Sequence, residues 1–193
     1  MTTYGLIGYP LGHSFSRKFF TEKFEKEGTD AQYLNFEIPS IEEFPNIIKN
    51  SSTLRGLNVT IPYKQQVMQH LDEISKEAKA IGAVNVVKVS KEGLIGYNSD
   101  VIGFVNSIRP LLKPHHKKAL ILGTGGASKA IHYGLEEKLG METLFVSRTA
   151  RQGMITYEEV TTEVLKEYEV IVNCSPAGMF PHVDECPALP YED

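Results

Sequence analysis

Tryptophan is absent from this 193-residue chain, and cysteine occurs only twice, at Cys174 and Cys186. The two cysteines form neither a Cys-x-x-Cys pair nor a zinc-binding spacing, so the sequence predicts no disulfide framework and no metal site, and it favours a reduced, cytoplasmic setting. The chain also lacks a signal segment and a long apolar run, so we expect a cytosolic protein that does not engage a membrane.

Neither sign of charge dominates the sequence. The 20 lysines and arginines nearly balance the 24 aspartates and glutamates, for a net charge of −4. A nucleic-acid partner would require basic residues clustered on one face, and the sequence has no such cluster. The 41 % hydrophobic content is that of a soluble globular protein, and the length allows one or two domains. The oligomeric state stays open, a homodimer included.

A glycine-rich turn stands near the middle of the chain. The apolar residues 120–122 are typical of a buried parallel strand, and the residues after the glycines have helical spacing. Gly123, Gly125 and Gly126 therefore lie at a strand-to-helix turn, where positive φ is allowed and free amides can hold a phosphate. Ser128 stands in place of the third glycine of the usual G-x-G-x-x-G pattern, so a plain tight turn is the alternative.

The end of the next predicted strand bears on which dinucleotide would bind. About 20 residues past the glycines, a carboxylate would hold a free ribose 2′-hydroxyl. Ser147, Arg148 and Thr149 stand there instead. An arginine with two hydroxyls suits a 2′-phosphate, so the sequence favours NADP over NAD. The alternative is that Arg148 is an ordinary solvated surface residue.

Two serines follow the first predicted strand, which covers residues 4–8. Ser14 and Ser16 lie at the start of a predicted helix. They either cap that helix or, together with its free amides, hold a substrate carboxylate. The helix is expected to point its phenylalanines inward, namely Phe15, Phe19, Phe20 and Phe24.

Lys64 follows a predicted strand at residues 57–59 that stops at Pro62. Because proline suits the first position of a helix, Lys64 would lie in the first helical turn, where the dipole disfavours an ammonium. That is an unusual place for a lysine that serves only solvation. The helix is expected to continue to Gly82, because apolar residues repeat at helical spacing at Val67, Leu71, Ile74, Ala78 and Ile81.

Two further polar residues flank a predicted hairpin, whose strands cover residues 83–89 and 94–97. Asn85 lies inside the first strand, where its amide needs a partner that is either backbone or a ligand. Asp100 precedes apolar residues with helical spacing, and the default role of an aspartate there is to cap the helix. The loop after a third nucleotide-domain strand, at residues 174–179, lies where ligands bind in such sheets.

Taken in order, these stretches closely resemble the shikimate dehydrogenase family, and the resemblance extends over nearly the whole chain. Seven short motifs carry it: Gly8-Tyr9-Pro10 with His13-Ser14-Phe15-Ser16, the run from Gly56 to Lys64, Gly82-Ala83-Val84-Asn85, Gly96-Tyr97-Asn98-Ser99-Asp100, Gly123-Thr124-Gly125-Gly126-Ala127, Ser147-Arg148-Thr149, and the run from Asn173 to Met179. The second and fourth motifs are highly specific in combination.

The resemblance implies an α/β enzyme of two domains. An open α/β domain that binds shikimate and carries the catalytic residues would cover residues 1–101, and the first half of a Rossmann domain that binds NADP would cover residues 102–193. The implied reaction is the NADP-dependent, reversible reduction of 3-dehydroshikimate to shikimate, a step in the biosynthesis of chorismate and the aromatic amino acids.

The family's functional residues transfer to matching positions of this chain. Ser14 and Ser16 would hold the substrate carboxylate, Thr60 and Asn85 would contact its ring hydroxyls or carboxylate, and Lys64 and Asp100 would contact the substrate as the catalytic pair. Gly123, Gly125, Gly126 and Ala127 would bind the pyrophosphate, and Ser147, Arg148 and Thr149 the 2′-phosphate. These implied roles replace the capping interpretation of Ser14, Ser16 and Asp100.

The chain departs from the family pattern at several positions, none of which removes a proposed catalytic group. Arg17 replaces a proline, Phe20 and Thr21 replace a His-Asn pair, Val86 replaces a threonine, and Ser147 replaces an asparagine. The family also continues with the second half of the Rossmann sheet and a glutamine-bearing helix that returns to the substrate site. We therefore expect the 193-residue chain to be inactive alone.

Two other functions remain open. The first is a quinate/shikimate dehydrogenase that uses NAD, against which Arg148 argues. The second is a catalytically silent shikimate-binding paralogue, against which the retention of both Lys64 and Asp100 argues, because a sensor needs no proton donor.

Overall fold

The computed structural model of the protein describes residues 1–12 and 15–191, so Ser14, a predicted carboxylate ligand, lies outside the described residues. The chain divides into two compact units, Met1–Ser99 and Asp100–Asp193. The domain boundary expected after residue 101 falls inside the first helix of the second unit, which begins at Asp100.

A mixed six-stranded sheet forms the first unit. Its strands are β1 (Thr2–Gly8), β2 (Ala31–Glu37), β3 (Leu54–Val59), β4 (Glu73–Ile74), β5 (Val86–Ser90) and β6 (Gly93–Tyr97), and its helices are α1 (Phe15–Glu27), α2 (Phe44–Asn50) and α3 (Lys76–Ile81). The strand order is β2-β1-β3-β5-β6-β4. Because β1 pairs in parallel with both β2 and β3, the carboxyl ends of these three strands share one edge.

Both faces of this sheet are covered with apolar side chains. The larger cluster includes Ile7, Phe44 and Leu57 and lies on the α2 side. On the opposite face, Leu6 and Tyr33 pack against side chains of α1. Ile7 and Leu6 are neighbours on one strand yet belong to different clusters, because successive strand residues point to opposite faces.

Helix α1 buries its aromatic residues less completely than the sequence predicts. Phe15 is 78 % exposed and Phe19 is 46 % exposed, so the prediction that they point inward is wrong. Phe20 packs on Tyr33 and Phe24 on Tyr4. Residues 20 and 24 share one helix face, and residues 15 and 19 share another face about 140° around the helix axis, outside the contact with the sheet.

The continuous helix expected between Pro62 and Gly82 is also absent from the described structure. A 3₁₀ helix at Gln66–His70, strand β4 and the short helix α3 occupy that stretch. Strand β4 pairs in parallel with β6, and Asp72 just before it both donates its N–H to the Leu94 carbonyl (3.0 Å) and accepts the Leu94 N–H at its carboxylate (2.7 Å). Pairing with a distant strand therefore outweighs the local helical periodicity.

The second unit is built on a four-stranded parallel sheet. Its strands are β7 (Lys118–Leu122), β8 (Glu142–Ser147), β9 (Met154–Thr156) and β10 (Val170–Asn173), in the order β10-β7-β8-β9, and its helices are α4 (Asp100–Ile108), α5 (Gly126–Tyr133) and α6 (Thr162–Glu167). The register pairs Leu122 with Val146 and with Asn173. The carboxyl ends of β7, β8 and β10 therefore meet at one edge, as in a Rossmann half-sheet, and the predicted α/β class is confirmed.

Within the two described ranges, no helix combines the length and the apolar character that crossing a membrane requires.

Candidate active site

Three predicted substrate residues of the first unit converge at the carboxyl end of β3. Thr60 directly follows this strand. The Val59 N–H donates to the carbonyl of Asn85 (2.8 Å), and the Val84 N–H donates to the carbonyl of Lys64 (2.7 Å). These bonds fix the backbones of the Thr60, Lys64 and Asn85 segments side by side, at the edge where ligands bind in open α/β sheets.

Lys64 lies in a turn and not in the first turn of an α-helix. The turn covers residues 61–65 and leads into the 3₁₀ helix at residues 66–70. A single α-type bond joins the Val67 N–H to the Tyr63 carbonyl (2.9 Å), and Met68 already bonds three residues back, to Gln65 (3.3 Å). The expectation that a helix dipole acts on Lys64 is therefore wrong, because so short a helix adds few peptide dipoles. Its side chain is half-buried.

The side chain of Asn85 is 7 % exposed and is held by Ser99. Its Oδ1 accepts the backbone N–H of Ser99 (2.8 Å), and its Nδ2 donates to the Ser99 hydroxyl (3.1 Å). A similar bond joins Asn98 Nδ2 to the carbonyl of Ala83 (3.0 Å). The two family motifs at residues 82–85 and 96–100 are thus tied together by buried amide side chains.

Asp100 is the first residue of α4, lies in its first turn and is half-buried. A carboxylate at that position is stabilised by the positive end of the helix dipole. Asp100 is also joined by a peptide bond to Ser99, the residue that holds the amide of Asn85.

Ser16, in the first turn of α1, hydrogen-bonds to the hydroxyl of Tyr33 on β2. Tyr33 is 4 % exposed, and its hydroxyl donates to Oδ1 of Asn58 on β3 (2.7 Å). Burial raises the pKa of Tyr33 to about 12, and the bond from Ser16 offsets part of that rise. Sequence reasoning assigned no role to Tyr33 or Asn58. A polar residue between the apolar residues Leu57 and Val59 was the signal for Asn58.

A third polar side chain lies in the same row across the sheet. Leu6 of β1 is paired with Asn35 of β2 on one side and with Asn58 of β3 on the other. Within residues 1–12 and 15–191, the buried Oδ1 of Asn35 has no hydrogen-bond partner. Polar groups therefore occupy the α1-facing side of the sheet beside the start of that helix.

The glycine turn of the second unit fits a dinucleotide pyrophosphate. Gly123 has φ of +105°, and a Cβ there would lie 3.2 Å from the carbonyl oxygen of Cys174. Gly125 immediately precedes α5, and a Cβ there would meet nothing within 4 Å. The turn therefore requires glycine for its conformation at one position and leaves open space for a phosphate at the other.

Ser128 explains how the turn tolerates a departure from the usual pattern. The side chain is fully buried, and its hydroxyl donates to the carbonyl of Gly125 (2.7 Å). A small residue with an internal partner thus takes the place of the third glycine and stabilises the first turn of α5 from inside.

The residues expected at the 2′-phosphate lie at the same edge of this sheet. The Gly123 N–H donates to the carbonyl of Val146 (2.9 Å), next to Ser147 at the end of β8. Ser147 is 6 % exposed, and its hydroxyl accepts the Thr149 N–H (3.4 Å), so it supports the turn. Arg148 and Thr149 are exposed and can contact a ligand.

A group of metal-ligating side chains occurs away from these edges in the part of the chain that the structure describes. His115, His116 and Glu169 place their ligand atoms within 4.8 Å of one another. The Nδ1 of His116 accepts the Lys113 N–H (3.1 Å), so the neutral ring carries its proton on Nε2. A histidine that binds a metal through Nε2 donates from Nδ1 instead. The geometry favours a hydrogen-bonded surface cluster over a metal centre.

Comparison with known proteins points to one family. A family model described as "Shikimate dehydrogenase substrate binding domain" matches residues 6–87. A shikimate dehydrogenase (NADP(+)) of Caldicellulosiruptor saccharolyticus is 35 % identical over 198 residues, which cover 94 % of this chain and 71 % of that protein. The corresponding protein of Methanococcus maripaludis is 35 % identical over 209 residues, covering 98 % and 73 %.

A solved structure gives the same result. The shikimate 5-dehydrogenase of Thermus thermophilus, crystallised with NADP(H) and shikimate, superposes with a TM-score of 0.84 at 30 % identity. That match covers all of this chain and 74 % of the other. These findings confirm the resemblance that the seven motifs indicate.

Proposed function

This chain belongs to the shikimate dehydrogenase family, and from that premise we propose that Lys64 and Asp100 act as its catalytic pair. The reaction is the NADP-dependent, reversible reduction of 3-dehydroshikimate to shikimate, and the protein is an oxidoreductase. The observation that supports these residue assignments is the convergence of Thr60, Lys64 and Asn85 at one sheet edge.

The chemistry of the reaction requires a proton donor. When bound, NADPH supplies a hydride to the carbon of the 3-keto group. Negative charge then develops on the keto oxygen, and a donor placed there stabilises that charge as it forms. Lys64 donates this proton, and in the reverse direction it accepts the proton of the hydroxyl. The carboxylate of Asp100 is the second member of the proposed pair and orients the amine of Lys64.

The remaining residues of the first unit bind the substrate. Ser16, in the first turn of α1, and Ser14, two residues earlier in the sequence, hold the carboxylate with their hydroxyls. Thr60 and Asn85 contact the ring hydroxyls or the carboxylate. Asn85 is suited to this role because Ser99 keeps its amide in a fixed orientation. The side chain of Asn85 therefore loses no further conformational entropy when the substrate binds.

The second unit binds the cofactor. The backbone of Gly123, Gly125, Gly126 and Ala127 approaches the pyrophosphate at the amino end of α5. Ser147, Arg148 and Thr149 form the turn for the 2′-phosphate, with the guanidinium of Arg148 as its charge partner. We also propose a cytoplasmic location, since Cys174 and Cys186 are free thiols, as expected in a reducing compartment.

Shikimate oxidation tests this function directly. The test uses the full-length protein, which includes the second half of the Rossmann domain that the family carries. This protein is mixed with shikimate and either NADP⁺ or NAD⁺, and absorbance at the nicotinamide band is followed, while shikimate binding is measured in parallel by calorimetry. Reduction of NADP⁺ in preference to NAD⁺ is the expected result. Preference for NAD⁺ would contradict the role of Arg148. Shikimate binding without reduction of either cofactor would favour the silent paralogue, and absence of binding would overturn the substrate assignment.

A further inference from the structure

The hydroxyl of Tyr33 joins two elements beside the predicted carboxylate site. Tyr33 lies on β2 with 4 % exposure, and its hydroxyl donates to Oδ1 of Asn58 on β3 (2.7 Å). Ser16, in the first turn of α1, bonds to the same hydroxyl. One buried hydroxyl therefore connects the start of α1 to the strand that leads to Thr60 and Lys64.

The helix geometry places Ser16 over Tyr33 independently of that hydrogen bond. Phe20 stacks on the ring of Tyr33 with centroids 4.8 Å apart and planes 13° from parallel. Ser16 precedes Phe20 by four residues, so the two side chains lie on the same helix face, one turn apart. The stack therefore holds the ring while the hydroxyl extends toward the first turn of α1.

The direction of these bonds follows from the number of protons available. A phenol has one O–H, and that of Tyr33 is used on Asn58. Ser16 must therefore donate to the oxygen of Tyr33, and this continuous line of bonds fixes the rotamer of Ser16.

We propose that Tyr33 is a positioning residue for the substrate carboxylate, through the hydroxyl of Ser16. This inference rests on the proposed function, because it requires that Ser16 binds the carboxylate of shikimate. When the hydroxyl of Ser16 donates to a ligand carboxylate instead, the O–H of Tyr33 turns from Asn58 to the serine oxygen and keeps that oxygen in place. The side chain of Ser16 then loses little conformational entropy when the ligand binds.

The test compares two buried tyrosines whose hydroxyls have different hydrogen-bond partners. Tyr33→Phe removes the hydroxyl and keeps the ring stacked on Phe20. Tyr63→Phe is the matched control, because Tyr63 is 3 % exposed and its hydroxyl donates to the backbone carbonyl of Ile38 (2.6 Å). We expect shikimate to bind Tyr33→Phe about 5- to 10-fold more weakly by calorimetry, the effect of losing one hydrogen bond, and Tyr63→Phe within about twofold of the native chain.

Two further measurements separate positioning from a general loss of structure. With the methyl ester of shikimate, which lacks the anionic charge, the penalty of Tyr33→Phe is expected to shrink to about twofold or less. In a Ser16→Ala background, Tyr33→Phe should add little, because the residue through which it acts is gone. Full additivity, or an equal loss for the acid and the ester, would overturn the inference.

The outcomes also distinguish this inference from the proposed function. If the native chain fails to bind shikimate, both are overturned. If the native chain binds shikimate and Tyr33→Phe binds it equally well, only the role of Tyr33 is overturned. Should Tyr33→Phe fail to fold, Asn58→Leu removes the acceptor of the Tyr33 hydroxyl in a similar volume. The inference then requires that the double variant Asn58→Leu/Ser16→Ala binds shikimate more tightly than the sum of the two single losses predicts.

Discussion

Ser99 holds the amide of Asn85 at both of its ends, with its backbone N–H on Oδ1 at 2.8 Å and its hydroxyl on Nδ2 at 3.1 Å. The two residues are 14 positions apart in the sequence and meet at the open end of the β5–β6 hairpin, one before β5 and the other after β6. This contact fixes the buried amide of Asn85 beside the segments of Thr60 and Lys64. It also fixes Ser99, which immediately precedes Asp100 in the sequence.

Loss of the Asn85 side chain should therefore cost stability as well as substrate binding. Asn85→Ala is expected to lower the free energy of unfolding by about 1–2 kcal/mol, because the backbone N–H of Ser99 loses its partner. Ser99→Ala, which keeps that N–H bond, should cost about 0.5 kcal/mol or less. Urea unfolding followed by circular dichroism measures both, and equal losses would contradict this account.

Removal of the amine of Lys64 should affect turnover far more than binding. Lys64→Ala is expected to lower kcat by about 100-fold or more, the usual range for general acid catalysis, with little change in shikimate affinity. Asp100→Asn should act through the same amine, so the double variant is expected to be little slower than Lys64→Ala alone. Steady-state kinetics of the full-length protein check both effects, and native turnover in Lys64→Ala would exclude this residue from the mechanism.

Replacement of Arg148 should change the choice of cofactor. Arg148→Ala is expected to weaken NADP⁺ binding by about 10- to 100-fold, the effect of a charge-assisted hydrogen bond, and to leave NAD⁺ binding unchanged. Arg151→Ala is the control, because Arg151 is also exposed and lies three residues further along the chain. Fluorescence titration with both dinucleotides measures the difference. A parallel loss for NADP⁺ and NAD⁺ would mean that Arg148 does not contact the 2′-phosphate.

Two glycines of the same turn should respond differently to alanine. Gly123→Ala is expected to destabilise the protein by about 1–3 kcal/mol, because φ is +105° and the new Cβ would lie 3.2 Å from the Cys174 carbonyl. Gly125→Ala meets nothing within 4 Å, so its stability should stay near native, whereas its methyl group would fill space for the pyrophosphate. Thermal melts with and without NADP⁺ separate the effects, and equal melting temperatures without ligand would refute the strain at Gly123.

The two thiols should differ in their reaction with alkylating reagents. Burial raises the pKa of Cys174 from 9.0 to about 11, whereas Cys186 is exposed. At pH 8 iodoacetamide should modify Cys186 first, and labelling of Cys174 in a Cys186→Ser variant should accelerate as the pH approaches 11. Mass spectrometry measures both rates. Rapid labelling of Cys174 at pH 8 would contradict its burial.

The same shift has a consequence for stability. The pKa of Cys174 is higher in the folded state than its ordinary value. The contribution of the neutral thiol to the free energy of unfolding is therefore complete below pH 9 and is lost as the pH rises toward 11. Cys174→Ser, whose hydroxyl does not titrate in this range, should lose less stability than the native chain between pH 9 and 11. Chemical unfolding at several pH values provides the measurement.

Several elements followed from local sequence because their causes are local. The apolar run before Gly123 became β7, and residues 170–173 became β10. A glycine that must adopt positive φ, and a strand buried on both faces, leave a signature within a few residues. The prediction of one helix across residues 62–82 is wrong because its cause is not local. Glu73 and Ile74 pair with a strand more than twenty residues away in the sequence.

By itself, the sequence determined the class of the fold, the glycine turn and the identity of the candidate site residues, because each depends on residue type and short-range order. Only the tertiary structure decided which side chains meet. The partner of Asn85 is 14 residues away, and the acceptor of the Tyr33 hydroxyl is 25 residues away on a strand that is not its neighbour in the sheet. Hydrogen bonds of this kind act at about 3 Å in space, and no periodicity along the chain encodes them.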